Sequence, residues 1–290
     1  MFNIDFFILG AQKAGTSTLH EVLRSSSQVV LPKNKETHYF SFDEKYKLGY
    51  RWYKSQFYNN GKIYGEVDPS YLYIKKSAKR IKEINNKPKF IIILRKPIER
   101  SFSHYLMSKN RGYENLSFNE AIDAESNRLQ STNIFDIINF SYLDRSNYSN
   151  QISVYKKVFP KSDFLYLKFD DFFVADKTTR MYKEIFSFLS LDYEGEIKDI
   201  HINRSYSSKI KFINNLLYNS LFIKTIGKIF IPNNNYRFKI KKYISELNRS
   251  SKKLPKLNID KLSKDIIQWN NNEVHKLNKI TKLQLENWII

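Results

Sequence analysis

The chain has 290 residues, enough for one large domain, or a domain with an appended subdomain, and for a sizeable buried core. A hydrophobic fraction of 41% and an aromatic fraction of 16% are typical of globular proteins and exclude a disordered chain. Because cysteine is absent, disulfides, thiolate metal sites and cysteine nucleophiles are excluded as well.

The formal net charge of +20 is unevenly distributed. From Ile200 to Ser245 there is no acidic residue, whereas lysines and arginines are frequent. This pattern favours an anionic partner, which could be a nucleotide, an acidic glycan, a nucleic acid or a lipid headgroup. A solvated basic face is the structural alternative.

The N-terminal sequence MFNIDFFILGAQK has no basic start and no small-residue cleavage site, so it does not predict a secretory signal. Its apolar run is too short to cross a membrane. We therefore predict a cytoplasmic protein. For the basic region at residues 209–245, a substrate lid, a packed subdomain and a peripheral contact with the inner membrane face are all open.

Strand and helix patterns alternate along most of the chain. In chain order, the sequence predicts a strand at DFFILG, a helix over Thr16–Ser25, a strand within KIYGEVDPSYLY, a helix near Lys75–Ile84, a strand at PKFIIILR, a helix from Pro97, a helix near Tyr148–Val158, a strand at DFLYLKF and a helix at TRMYKEIFSFLSL. This order predicts an α/β fold with a P-loop-containing parallel sheet flanked by helices. The rest is mainly helical in pattern. We therefore assign residues 1–210 to the α/β domain and residues 211–290 to a helical extension packed on it.

The stretch GAQKAGTSTL, which follows the first predicted strand, has the spacing of a phosphate-binding loop. Gly10 and Gly15 form a G-x-x-x-x-G pattern, but Thr16 stands where a nucleotide-hydrolysing loop has its lysine. The only lysine, Lys13, lies inside the loop. Small residues before a helix start favour an anion, so the loop predicts phosphate binding by a different arrangement from that of an NTPase.

A second candidate phosphate site lies in LRKPIERSFSHY. Arg95 ends a strand predicted to be buried, and Ser103 follows eight residues later in the next helix. A guanidinium group suits a phosphate, although a pair with Glu99 is the structural alternative. Because both loops follow strands of one predicted sheet, they favour a ligand with two separate phosphate groups.

In these motifs the chain resembles the sulfotransferases that use 3′-phosphoadenosine 5′-phosphosulfate (PAPS), in particular the carbohydrate branch. KETHYF (Lys35–Phe40) is similar to the stretch that holds the catalytic glutamate of heparan-type enzymes, and GEVDPSYL (Gly65–Leu72) to their glutamate-x-x-proline-x-tyrosine segment. The resemblance covers about residues 4–210. It implies donor binding by Lys13, Ala14, Gly15, Thr16, Ser17, Thr18, Arg95 and Ser103, with Arg204 and Lys209 in a late loop over the nucleotide.

The resemblance also implies roles in catalysis. Glu36 would be the general base, His38 would assist it, and Lys13 would stabilise the leaving phosphate. Lys35, Asp68 and Tyr71 would contact the acceptor. The product would be adenosine 3′,5′-bisphosphate, and no metal is expected, because a sulfonate needs less charge neutralisation than a phosphoryl group.

Other interpretations of the same residues stay open. Glu36 could form a surface ion pair with Lys35 or Lys33, and His38 could simply pack beside its aromatic neighbours. If the segment is extended, the side chains of Glu36 and His38 point the same way. Val67 stands where heparan-type enzymes have a lysine, which argues against a heparan-like acceptor but leaves the donor chemistry unaffected.

The function predicted from the sequence is transfer of a sulfonate from PAPS to a hydroxyl or amine of a glycan or small hydroxylated acceptor, with no nucleic-acid partner. A P-loop kinase is the enzymatic alternative, and it predicts Mg²⁺-dependent ATP binding. A basic glycan- or nucleic-acid-binding module is the non-catalytic alternative, and it predicts strongly salt-dependent affinity with no nucleotide requirement.

Overall fold

The computed structural model describes residues 3–58, 61–131, 133–193, 195, 207–209, 213, 217, 234–250 and 254–290. Five strands form one sheet in the order β2-β3-β1-β4-β5, and every neighbouring pair is parallel. The strands are β1 (Phe6–Gly10), β2 (Val29–Val30), β3 (Ile63–Val67), β4 (Lys89–Leu94) and β5 (Phe164–Lys168). The predicted α/β fold with a P-loop-containing parallel sheet is therefore confirmed.

The central strands are continuous apolar runs, as expected for a sheet that is covered on both faces. All five residues of β1 are buried, and in β4 only Lys89 is partly exposed. The Phe7 ring stacks on the Phe90 ring with 6.1 Å between centroids. Side-chain packing between neighbouring strands thus fixes the centre of the core.

The described helices flank and connect these strands. They are α1 (Thr16–Ser25), α2 (Asp43–Tyr46), α3 (Gly49–Lys54), α4 (Ser70–Tyr73), α5 (Lys76–Ile84), α6 (Pro97–Asn110), α7 (Phe118–Asp123), α8 (Glu125–Arg128), α9 (Ile134–Phe140), α10 (Tyr148–Val158), α11 (Ala175–Phe188), α12 (Asn234–Leu247) and α13 (Lys264–Thr281). The C-terminal region is mainly helical, as predicted. None of these helices is long and apolar enough to span a bilayer.

The helix bounds agree with the sequence patterns where those patterns are apolar. The predicted bounds of α1 and α10 are those observed, and α5 begins one residue later than predicted. Helix α11 begins at Ala175, four residues before the predicted stretch, because its first turn is polar and shows no apolar periodicity. The short helices between the strands were not predicted, since four to seven residues give too little periodicity to detect.

The chain divides into two compact units, each built from separate segments. The first comprises Met1–Arg100, Asn147–Asn203 and Gln268–Ile290, and the second comprises Ser101–Ser146 and Arg204–Ile267. The second unit resumes at Arg204, and the division predicted at residue 210 stays a prediction. The final segment, however, belongs to the unit that contains the sheet, so the division is not a single cut along the sequence.

Buried polar contacts hold the described part of the second unit together. The carboxylate of Glu114 accepts hydrogen bonds from Arg128 and from the Tyr142 hydroxyl, at 2.5 and 2.8 Å. The carboxylate of Glu125 accepts the amide N–H groups of Leu143 and Asp144, both at 2.8 Å. A short antiparallel pair, β6 (Ser207–Ser208) with β7 (Arg249–Ser250), joins distant parts of the unit.

Strand order brings three loops together at one edge of the sheet. Because β1 lies between β3 and β4, the chain crosses from one side of β1 to the other between these two strands. The loops that follow β1, β3 and β4 all leave from the carboxyl edge. In open parallel sheets, this crossing point is where ligands bind.

A close contact between β1 and β3 gives a prediction about stability. Gly65 pairs with Phe6, and a Cβ atom at Gly65 would lie 2.1 Å from the Phe6 ring. We expect Gly65→Ala to lower the free energy of unfolding by about 1–3 kcal/mol through overpacking, as measured by urea denaturation. Adding Phe6→Leu should recover part of that loss. Gly65 does not have a positive φ, so backbone strain of that kind does not contribute to the expected loss.

If Gly65→Ala and Phe6→Leu proved strictly additive in the double variant, the clash would not be the cause of the instability.

Candidate active site

The loop after β1 leads directly into α1. Gly15 has φ of 86°, and a Cβ atom there would lie 3.0 Å from the Phe172 ring and 3.2 Å from the Phe169 ring, so only glycine fits. Helix α1 starts at Thr16 with no side-chain cap and no acidic residue in its first turn. An uncapped helix start with its backbone N–H groups is a favourable place for an anion.

Lys35 lies at this helix start. Its Nζ is 3.0 Å from Ser17 Oγ and 3.4 Å from Thr16 Oγ1, and it donates to Glu36 Oε1 at 2.8 Å. The ion pair between Glu36 and Lys35 that the sequence left open is thus present. The same lysine also joins the carboxylate to the phosphate-type loop, so the pair is part of a larger cluster.

Arg95 contacts the loop from the end of β4. Its Nη1 donates to the Lys13 carbonyl at 3.3 Å, and its guanidinium lies 4.8 Å from the centroid of the Phe169 ring. The alternative partner, Glu99, is also in contact, with 3.4 Å between Nη2 and Oε2. The Nε atom is buried and has no hydrogen-bond partner among the described residues, which leaves a donor for an anion.

A turn begins at His38, so the segment considered extended from the sequence does not continue beyond this residue. His38 has φ of 55°, and its carbonyl accepts the N–H groups of Ser41 and Phe42 at 3.3 and 3.1 Å. The Glu36 and His38 side chains nevertheless meet, with 3.7 Å between Oε2 and Nε2. The imidazole therefore lies beside the carboxylate.

Glu66, in β3, holds Thr37 beside this turn through side-chain hydrogen bonds. Its side chain is fully buried and accepts four hydrogen bonds: the Thr37 amide at 3.1 Å, the Thr37 hydroxyl at 2.5 Å, the Tyr71 hydroxyl at 2.9 Å and the Tyr53 hydroxyl at 2.6 Å. Thr37 stands between Glu36 and His38. The contact therefore fixes the backbone that carries both.

Asp68 fixes His38 itself. Its Oδ2 accepts the His38 amide N–H at 2.9 Å and lies 2.9 Å from the ring Nδ1, while Oδ1 accepts the Ser70 N–H at 2.9 Å. Glu66 and Asp68 are two residues apart at the end of an extended strand, so both can face the same turn. We refer to Glu66 and Asp68 as the carboxylate pair.

Two side chains of this site have raised pKa values. Burial raises the pKa of Glu66 to about 7, and the neighbouring charge of Asp68 adds to this effect against the hydrogen bonds that lower it. Burial alone would lower the pKa of His38, but the charge and hydrogen bond of Asp68, together with the charge of Glu36, raise it above its ordinary value.

The predicted site residues fall into groups with different surroundings. Glu36, His38 and Lys35 are partly exposed, at 32%, 29% and 22% of their side chains, and can reach a ligand. Asp68 and Tyr71, predicted to contact the acceptor, are fully buried, and their contact with an acceptor stays a prediction. Their burial is explained by their hydrogen bonds to the turn and to Glu66.

The other residues predicted to bind the PAPS donor lie in several different places. Ala14, Thr16 and Thr18 are buried in the loop and the first turn of α1, whereas Ser103 is buried within α6 and belongs to the second unit. Lys209 is exposed, and its amide N–H donates to the Asn248 carbonyl at 2.7 Å. Arg204 lies outside the described residues. Contacts of Ser103, Lys209 and Arg204 with a nucleotide stay predictions.

Two features of this site were missed at the level of sequence. Glu66 was part of the GEVDPSYL stretch, but no role was assigned to it, although a glutamate within a buried strand is a signal in itself. In addition, ligand atoms of Glu36, His38 and Asp68 lie within 4.8 Å of one another and could hold a metal ion. The expected absence of a metal therefore stays a prediction.

A family model for the sulfotransferase domain matches residues 3–263, which is most of the chain. The chain belongs to the sulfotransferase family. This membership confirms the resemblance seen in the sequence and does not support the kinase and the binding-module alternatives.

Curated relatives match shorter stretches of this sulfotransferase. Membrane-associated sulfotransferase kil1 of Dictyostelium discoideum is 33% identical over 36% of this chain and 23% of its own length. Heparan sulfate glucosamine 3-O-sulfotransferase 5 of Mus musculus is 35% identical over 34% of this chain and 29% of its own. Heparan sulfate glucosamine 3-O-sulfotransferase 6 of Homo sapiens is 28% identical over 55% of this chain and 45% of its own. The matches span less than half of each relative.

A solved structure agrees with the fold over its whole length. A crystal structure of a sulfotransferase from Alicyclobacillus acidocaldarius covers 99% of both chains with a TM-score of 0.71 and 21% identity. At this identity the comparison supports the fold, including the helical C-terminal region.

The raised pKa of Glu66 predicts a pH dependence of stability. Between pH 4.5 and about 7, the folded state keeps a proton that the unfolded state has released, so the free energy of unfolding falls as pH rises through this window. Glu66→Gln has no carboxyl group that could titrate in this range. We expect the slope of unfolding free energy against pH, from urea titrations at several pH values, to be smaller in Glu66→Gln.

Glu44→Gln, at an exposed glutamate in α2, is the matched control and should keep the wild-type slope. An unchanged slope in Glu66→Gln would mean that Glu66 is already ionised in the folded protein throughout this range.

Proposed function

We propose that this sulfotransferase moves a sulfonate group from PAPS to a hydroxyl or amine of a glycan or small hydroxylated acceptor. The observation that supports this most directly is the position of Lys35, which contacts Ser17 at the start of α1 and Glu36 at the same time. One lysine thus joins the loop proposed to bind the donor to the carboxylate proposed to act as base. Such adjacency is what an in-line transfer requires.

The residues at this edge of the sheet suit a donor with two phosphate groups. The uncapped start of α1 offers backbone N–H groups to the 5′ side. The Nε of Arg95, which has no hydrogen-bond partner in the part of the chain that the structure describes, offers a charged donor to the 3′-phosphate. The sulfotransferase family generally uses PAPS, which supplies the sulfonate when it is bound. We assign Lys13 and Lys35 to the stabilisation of negative charge on the leaving phosphate.

On the acceptor side, Glu36 is the proposed general base. It is partly exposed, and Lys35 holds its Oε1 at 2.8 Å. It would take the proton of the acceptor hydroxyl as the new bond to sulfur forms, a contribution typically of ~10²- to 10⁴-fold. His38, fixed by Asp68, would orient the acceptor and balance charge beside Glu36.

The relatives guide the choice of acceptor. Heparan sulfate 3-O-sulfotransferases act on a glucosamine of a glycan by their names, which favours a sugar hydroxyl here. Val67 is buried where heparan-type enzymes have a lysine, so the acceptor we propose is a glycan other than heparan sulfate or a small hydroxylated molecule. A screen of acceptors with labelled PAPS tests this directly.

A variant of Glu36 separates the role of the base from donor binding. Glu36→Gln keeps the size of the side chain but removes the proton acceptor. We expect normal affinity for adenosine 3′,5′-bisphosphate by calorimetry and at least a ~10²-fold loss in turnover with labelled donor. His38→Ala should lose less. Near wild-type turnover of Glu36→Gln would remove Glu36 from the mechanism.

A variant of Arg95 tests the site proposed for the 3′-phosphate. Arg95→Ala should weaken binding of adenosine 3′,5′-bisphosphate and barely change binding of adenosine 5′-phosphate, both measured by calorimetry. The reason is that only the first ligand has the anion that Arg95 is proposed to meet. Equal losses for both ligands would indicate that Arg95 supports the loop through the Lys13 carbonyl instead. Absence of any bisphosphate binding to folded wild-type protein would overturn the proposed function.

A further inference from the structure

An exposed apolar stripe runs along α12 in the second unit. Tyr236, Ile240, Tyr243 and Leu247 are exposed by 61%, 43%, 63% and 59%. Their spacing of four, three and four residues places all four on one face of the helix. Single exposed apolar residues are common on protein surfaces, but a full-length stripe on one helix face marks a contact surface.

The charge of this helix restricts what can cover the stripe. Its sequence NNYRFKIKKYISEL has four basic residues and one acidic residue, Glu246, and lies at the end of the stretch from Ile200 that has no acidic residue. A helix with an apolar face and a basic remainder is typical of segments that lie in the interface of an anionic membrane. Tyrosine, which supplies two of the four exposed side chains, is enriched at headgroup level.

We propose that this face of α12 docks on an anionic phospholipid surface, with Ile240 and Leu247 entering the boundary of the acyl chains. A second copy of the chain would place two positively charged helices against each other, which costs free energy. An acidic glycan would pair with the basic residues but would leave Ile240 and Leu247 in water. Of these three occupants, a lipid surface is the one that satisfies both the apolar stripe and the charge. The proposal does not depend on the proposed transfer reaction.

Vesicle sedimentation with the full chain tests this surface. We expect the protein to bind vesicles of phosphatidylcholine with roughly 30% phosphatidylglycerol, because the anionic lipid attracts basic residues. It should bind vesicles of pure phosphatidylcholine much less. Ile240→Ser with Leu247→Ser should lower the partition coefficient at least about tenfold, because the apolar part of the contact is lost while the charge is unchanged. Both positions are exposed, so the fold should be retained.

The matched control is Leu48→Ser with Val174→Ser, since these side chains are also exposed, at 49% and 45%, but lie outside α12. It should bind anionic vesicles as the wild type does. Both double variants should keep the wild-type melting temperature and the wild-type affinity for adenosine 3′,5′-bisphosphate. A loss of vesicle binding can then be distinguished from a failure of the proposed function.

Three results would overturn the proposal. One is no binding of the wild type to anionic vesicles. Another is equal binding by the wild type and the Ile240→Ser, Leu247→Ser variant. The third is a concentration-dependent dimer, seen by light scattering, that this variant abolishes, because the stripe would then be an interface between copies of the chain.

Discussion

The burial of two carboxylates at the end of β3 is the constraint on which the active site depends. A buried carboxyl group is costly unless polar partners surround it. Glu66 meets three hydroxyl groups and one amide, and Asp68 meets two amides and an imidazole. Most of these partners come from the turn that carries Glu36 and His38. The need to satisfy the carboxylate pair therefore holds this turn in one conformation, including the left-handed backbone at His38.

The carboxylate pair also connects the turn to the phosphate-type loop. The Asp68 amide donates to the Ile8 carbonyl in β1, the strand that leads into the loop at Gly10. The Lys35 side chain makes a second connection, because its Nζ donates hydrogen bonds to both Ser17 and Glu36. The turn is thus attached to the phosphate-type loop both through the sheet and through a side chain. Positions set by strands are more reproducible than positions set by loops alone, which suits a reaction that needs accurate alignment.

The sequence predicts the parts of this arrangement that depend on local pattern. Buried apolar runs locate β1 and β4, and the glycine spacing locates the loop, since Gly15 must tolerate a positive φ beside two phenylalanine rings. The turn at His38 is different. Its conformation depends on Asp68, which lies 30 residues later, and no local rule anticipates a left-handed histidine. Local patterns do not indicate the two units either, because each unit is formed by contacts between segments that are far apart in the sequence.

The electrostatics of the turn favour Glu36 over His38 as the proton acceptor. Asp68 and Glu36 together raise the pKa of His38, so the imidazole holds its proton more firmly than a free histidine does. A protonated ring cannot accept a proton, but it can stabilise negative charge nearby. Glu36 has the Lys35 ammonium on one oxygen and the His38 ring beside the other. The raised pKa therefore suits His38 to the proposed role of holding positive charge beside Glu36 better than to that of a general base.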